Sequence, residues 1–173
     1  RNVTELAEHP IAKRKAPVTL SAGQAKQFLE YIKSDRLYPL YLLAISGGFR
    51  QGELLGLHWE DVDLDAGVVH VNHVVQELRG VGLVITEPKT ESSRRAVAIP
   101  KITLLVLRQL HDQTGETHGL IFKTSNGTPF SQRNLLRHFH NTLHKLGLPI
   151  MRFHTLRHTF ASMMLSKNVH PKI

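Results

Sequence analysis

The chain has no cysteine among its 173 residues. A disulfide scaffold, cysteine-based zinc sites and a thiol nucleophile are excluded together, and the composition suits a reducing compartment. No apolar run approaches the ~20 residues of a membrane span, and residues 1–20 lack the apolar stretch of a secretory signal. The sequence reads as a soluble, intracellular domain. Acidic residues are scarce in its second part. Residues 88–173 hold three Asp and Glu against 13 Lys and Arg, net +10, whereas residues 1–87 carry nine basic and 11 acidic side chains, net −2. So few carboxylates among the basic groups argue against a two-metal nuclease. Tyrosine is also scarce: Tyr31, Tyr38 and Tyr41 all precede residue 50.

What is present points to a folded, basic protein. Hydrophobic residues make up 41% and charged residues 21%, which excludes a disordered chain. The length suits one compact domain, with a split into two subdomains as the alternative. A one-signed half suggests a polyanionic partner. Nucleic acid ranks ahead of a membrane, because no basic amphipathic stretch carries an aromatic face; a basic solubilising surface is the bland alternative.

Residues 1–19, with Lys13, Arg14, Lys15 and Pro17, have no clear period and read as an interdomain linker or arm, leaving 20–173 as the folded domain. Ser21 and Gln24 form a capping-box pattern ahead of a helix whose apolar face is Phe28, Leu29 and Ile32. A more apolar helix spans about 37–46 and stops at Gly47 and Gly48; a short one follows over 50–56. Strands are expected at 68–75, 82–86 and 95–99, with a polar, basic loop between the last two. Helical periodicity returns at 102–113, at 132–146 after Ser131, and at 155–167, and a short strand is expected at 120–122. The fold class is α+β, mainly α, with a small three-stranded antiparallel sheet.

Two constellations carry chemistry. Arg50 opens a helix just after two glycines, where backbone can approach closely and a guanidinium can grip a phosphate with two parallel hydrogen bonds. Glu53, three residues on, is placed to pair with Arg50 and fix its rotamer; a surface Arg–Glu pair is the bland reading. His154 and Arg157 share the first turn of a later helix. An imidazole beside a guanidinium suits a phosphoryl transition state, since one moves a proton while the other neutralises oxygens. A half-buried histidine next to a solvated arginine is the alternative. His154 and His158 have the i, i+4 spacing of zinc ligands, but Arg157 between them opposes a cation and the intervening Glu of a zinc motif is missing. Asp61, Asp63 and Asp65 imitate a calcium loop, yet Gly67 falls one position late and Asn72 stands where a Glu is needed, so Asp63 and Asp65 read as turn acids.

Taken in order, Gly48-x-Arg50-x-x-Glu53-Leu54, Trp59-x-Asp61-Val62-Asp63, Lys89 in a strand loop, and His154-x-x-Arg157-His158-Thr159-Phe160 resemble the catalytic domain of tyrosine recombinases, most closely the integrases of phages and integrative elements. The resemblance runs from about Ser21 to the end of the chain. It implies site-specific DNA recombination by transesterification through a 3′-phosphotyrosine. Arg50 and Arg157 would clamp the scissile phosphate, Lys89 would protonate the leaving 5′ oxygen, His154 would take part in proton transfer, and Glu53 would support the site. It also implies double-stranded DNA as partner, a tetramer on DNA for the full-length protein, a bacterial cytoplasm, nucleoid or host-cytoplasm location, and neither metal nor cofactor. Arg94, Arg95, Arg133 and Arg137 are the expected DNA contacts.

The chain departs from the family pattern in three ways. Thr155 stands where the family usually has Asp, though Thr can also cap a helix. The family's Leu-Gly-His motif and its nucleophilic tyrosine are both expected beyond Ile173, so this stretch is expected to be C-terminally incomplete and inactive alone. Two rival readings remain: a DNA-binding module without strand transfer, and a related DNA topoisomerase. Geometrically, Arg50, His154 and Arg157 should converge, and Glu53 should lie behind Arg50 as the most buried acid of residues 53–65. An apolar patch should surround Met163 and Met164.

Overall fold

The computed structural model describes residues 18–88, 90 and 93–165, the side chains of 161–165 excepted. The expected linker therefore lies almost wholly outside the described residues, as do Lys89 and the surroundings of Met163 and Met164.

At the centre stands an α-helix apolar on every side, α2 (Tyr38–Gly47), in which Pro39 to Ile45 are all buried. A helix with no polar stripe must be wrapped, and here α1 (Ala22–Tyr31), α4 (Lys101–Thr114) and α6 (Thr155–Leu165) pack against it. Gly48 ends it in the left-handed conformation, φ 64°. Within α1, Ser21 and Gln24 make both bonds of the expected capping box, at 3.2 and 2.9 Å. Phe28 and Phe139 meet the Tyr41 ring at 5.1 and 5.9 Å, and Phe153 completes the aromatic cluster. Phe139 comes from α5 (Gln132–Lys145).

The β residues behave differently from the single 68–75 strand. Val68–His70 (β2) and Val74–Leu78 (β3) are separate, broken at 71–73. β2 sits between β1 (Val62–Asp63) and β5 (Ala96–Ala98) in a three-stranded antiparallel sheet, while β3 pairs only with β4 (Gly82–Thr86), Val75 opposite Ile85. The break has a physical cause: Asn72 and His73 turn aside to donate to Asp61 at 2.9 and 2.8 Å. Two side-chain bonds to a buried carboxylate outcompete continued ladder pairing. Leu120 makes only an isolated bridge with His58 in place of the expected short strand.

The short helix α3 (Gln51–Leu55) lies against β3. The approach is close because Gly52 and Gly56 lack side chains: a Cβ on Gly52 would sit 2.7 Å from the Val75 carbonyl oxygen. This contact fixes Arg50 and Glu53 relative to the hairpin.

Candidate active site

Glu53 organises the site. Its side chain reaches back to accept the Arg50 backbone N–H at 2.7 Å, which is the carboxylate half of a capping box. The same carboxylate accepts Arg50 Nη1 at 2.8 Å, then Arg95 Nη1 and Nη2 at 2.9 and 2.8 Å. Burial works to raise its pKa, but the Arg95 bonds and the two Arg50 bonds outweigh it and hold the carboxyl below its ordinary value. Glu53 does lie behind Arg50 with only 4% exposed, yet Asp61, at 2%, is the more buried acid of the segment. Asp61 is buried because it ties the 3-10 turn Trp59–Asp61 to residues 72–73.

Arg157 enters from α6, 109 residues away from its partner, and donates from Nη1 to the Gly48 carbonyl at 2.9 Å. Burial, then the nearby Arg95 and Arg50, lower its pKa, while Glu53 opposes them. His154, one turn earlier and exposed on its outer side, has its pKa lowered by partial desolvation and then by His158, Arg157 and Arg50, with Glu53 opposing. Arg157 is thus tied to the Gly48 carbonyl two residues before Arg50, which is itself held on Glu53, and Arg50 makes positive charge less favourable on both Arg157 and His154. Thr155 is buried at the start of α6. Gly48 is essential to the meeting, since the Phe160 ring would lie 2.7 Å from any Cβ there.

An open cleft of about 320 Å³ adjoins this cluster, lined by Arg50, Gly52, Glu53, Val75, Pro88 and Ser93. A larger groove of about 670 Å³ between residues 34–37 and α5 holds Asp35, Arg36, Phe130 and His138 but none of the clustered cations. The clustered cations therefore line the smaller cleft and not this larger groove.

The other expected residues fall into two groups. Arg133 and Arg137 are exposed one turn apart on α5, and Arg94 is exposed and paired with Glu87. Arg95 instead turns inward, its side chain 20% exposed and its guanidinium 5.9 Å from the Phe49 ring centre. No local pattern marks that role, because Arg95 and Glu53 are 42 residues apart. Asp63 accepts the Asp65 and Ala66 N–H groups at 3.0 and 2.8 Å, as a turn acid does. Among the described residues, His58, Asp61 and His73 bring three possible metal donors within 4.8 Å of one another. Both Asp61 oxygens are already engaged, Oδ1 by Asn72 and Oδ2 by the His58 N–H and His73. The trio is a hydrogen-bonded turn. Of the tyrosines, Tyr41 is fully buried, its hydroxyl bonded to His138, with its pKa raised by burial and then by Asp35. Such a phenol is not a nucleophile.

The Arg50–Glu53 and His154–Arg157 motifs thus lie at the starts of two helices, α3 and α6, joined through the Arg157–Gly48 bond, and comparison with known families bears on their origin. The model of the Phage integrase family matches residues 19–173. The chain belongs to that family. A tyrosine recombinase XerC-like protein of Caldanaerobacter subterraneus subsp. tengcongensis is 30% identical over 172 residues, covering 87% of this chain and 44% of the relative. The ICEBs1 integrase of Bacillus subtilis is 29% identical, with 81% and 41% covered. Among solved structures, the Tn1549 transposon integrase in complex with circular intermediate DNA superposes with a TM-score of 0.79 at 24% identity, covering 92% of this chain and 58% of that one. XerA recombinase gives 0.71 at 24% identity, covering 92% and 53%. Both establish the integrase catalytic-core fold. The chain spans about half the length of the relatives it matches. Among the described residues, no helix is long and apolar enough to cross a membrane.

Proposed function

We propose that this chain is the catalytic domain of a DNA strand transferase that performs site-specific recombination for a mobile element. One observation carries the reading: Arg157 bonds the Gly48 carbonyl, two residues before Arg50, and Arg50, 107 positions away in sequence, is held on the buried Glu53. Among the described residues, Arg50 spends one side-chain N–H on Glu53 and Arg157 one on Gly48, which leaves donors of both forks for the oxygens of one phosphate. Substrate charge grows at those oxygens as the phosphorus becomes five-coordinate, and fixed guanidinium groups stabilise it without reorganising.

In this reading a tyrosine phenolate attacks phosphorus, the 5′ oxygen departs, and a 3′-phosphotyrosine conserves the bond energy until a second 5′ hydroxyl reverses the step. His154, held neutral, accepts or relays the phenol proton, and Lys89 returns a proton to the leaving oxygen. None of Tyr31, Tyr38 and Tyr41 is assigned that role in this reading. Two guanidinium groups and a lysine supply the charge that a metal would otherwise provide, so neither metal nor cofactor is required. Double-stranded DNA is the partner, contacted through Arg94, Arg133 and Arg137, and the full-length protein assembles as a tetramer on it in the cytoplasm. The DNA bound in the Tn1549 integrase structure supports this choice of partner.

The test uses the full-length protein on a nicked duplex that traps the covalent intermediate. Arg50→Lys and Arg157→Lys should each lower single-turnover cleavage at least about 100-fold and change the DNA Kd less than about threefold, because each contacts one phosphate among many in binding. Parallel losses in rate and affinity would defeat the assignment.

A further inference from the structure

The Arg95 guanidinium is the least expected member of the site. Both its terminal nitrogens face Glu53, making a two-pronged pair with Oε1 and Oε2 at 2.9 and 2.8 Å. Its backbone is fixed as well, since the Arg95 carbonyl accepts the Val71 N–H at 2.9 Å at the edge of β5. The other two donors to Glu53 are the Arg50 backbone N–H and Arg50 Nη1. Four donors saturate the four lone-pair positions of the carboxylate.

We infer that Arg95 is a positioning residue for the phosphate clamp: by neutralising Glu53 from the inside, it leaves the outward face of Arg50 cationic and free. The inference rests on the strand-transferase reading and assigns a role in it that a DNA contact would not have. The charge count makes the point. Glu53, Arg50 and Arg95 together carry +1; without Arg95 the pair carries none, and a carboxylate 4% exposed would have only Arg50 to compensate it. Arg50, 47% exposed at its side chain, would then be drawn onto Glu53 with more of its donors, and these are the donors the phosphate needs. Arg95 itself is poorly placed to meet DNA, being 20% exposed and lying over Phe49. It is also the leading charge acting on Arg157, so its removal alters the field at both arms of the clamp.

A double-mutant cycle in the full-length protein decides the matter, with cleavage of a nicked duplex, DNA Kd and urea unfolding read for each variant. Arg95→Met should slow cleavage at least about 30-fold, leave Kd within about threefold, and leave the protein folded at the assay temperature. Glu53→Gln removes the charge that Arg95 compensates. Adding Arg95→Met to it should therefore cost no more than about threefold further, so the two losses do not multiply. Should Arg95→Met fail to fold, Arg95→Lys carries the test. It keeps the charge but not the two-pronged geometry, and should slow cleavage about fivefold at unchanged Kd. Multiplying losses, or rate and affinity falling together, would overturn the positioning role. A wild-type protein that forms no covalent complex would instead refute the strand-transferase reading and leave the Arg95–Glu53 pair as a purely structural one.

Discussion

Gly48 is where fold and site depend on a single missing methyl group. Its φ of 64° is unfavourable for any L-residue with a Cβ, and a Cβ there would lie 2.7 Å from Phe160 Cδ1. The first effect costs Gly48→Ala about 1–2 kcal/mol; the second, overpacking against an aromatic ring on a packed helix, adds about 1–3 kcal/mol. Ala also narrows the unfolded ensemble, which returns about 0.5 kcal/mol. The expected loss is about 2–4 kcal/mol. Gly147 separates the two contributions, since its φ is 63° but no atom lies within 4 Å of its hypothetical Cβ. Gly147→Ala should therefore lose only about 1 kcal/mol, the backbone part. Urea unfolding of this chain, with both variants and a common m-value, measures the difference directly. A Gly48→Ala protein no less stable than Gly147→Ala would refute the claim that Phe160 closes on Gly48. It would remove the reason for Arg157 reaching the Gly48 carbonyl. If the reasoning holds, Gly48→Ala should also slow cleavage in the full-length protein well beyond its loss of stability, because that carbonyl positions Arg157.

Two further predictions concern His154 and Asp61. The His154 pKa lies below the ordinary imidazole value, through partial desolvation and then the neighbouring cations, so the unfolded chain binds this proton at higher pH than the native one. Its contribution to stability is complete above the ordinary imidazole pKa of about 6.5 and is lost as the pH falls below it, and cleavage should decline on the same acid limb. An NMR titration placing His154 at or above the free imidazole value, or unmoved upward by His158→Gln, would contradict this. Asp61→Ala should cost about 3 kcal/mol by urea unfolding, since three donors lose a buried acceptor, whereas Asp63→Ala, exposed, should cost about 1 kcal/mol or less. Equal losses would deny Asp61 its role in breaking the β2–β3 strand.

Local chemistry was legible wherever one turn of chain contains the whole cause. Ser21 and Gln24 announce their capping box, Gly48 announces the end of α2, and the order of Arg50, Glu53, His154 and Arg157 carries the family. The uniformly apolar stretch over Tyr38–Gly47 marks a buried helix before any partner is known. Three outcomes lay beyond such reading, each because its cause is a contact between distant segments. Asp61 splits what reads as one continuous strand by drawing off Asn72 and His73. β5 pairs with β2 and leaves β3 and β4 as a separate hairpin. Arg95, which as a sequence is one more basic residue at the start of an expected strand, is turned inward by a carboxylate 42 positions away. Periodicity and capping are properties of neighbours along the chain. The satisfaction of a buried charge is a property of whatever the fold brings next to it, and only the tertiary structure decides which cation that is.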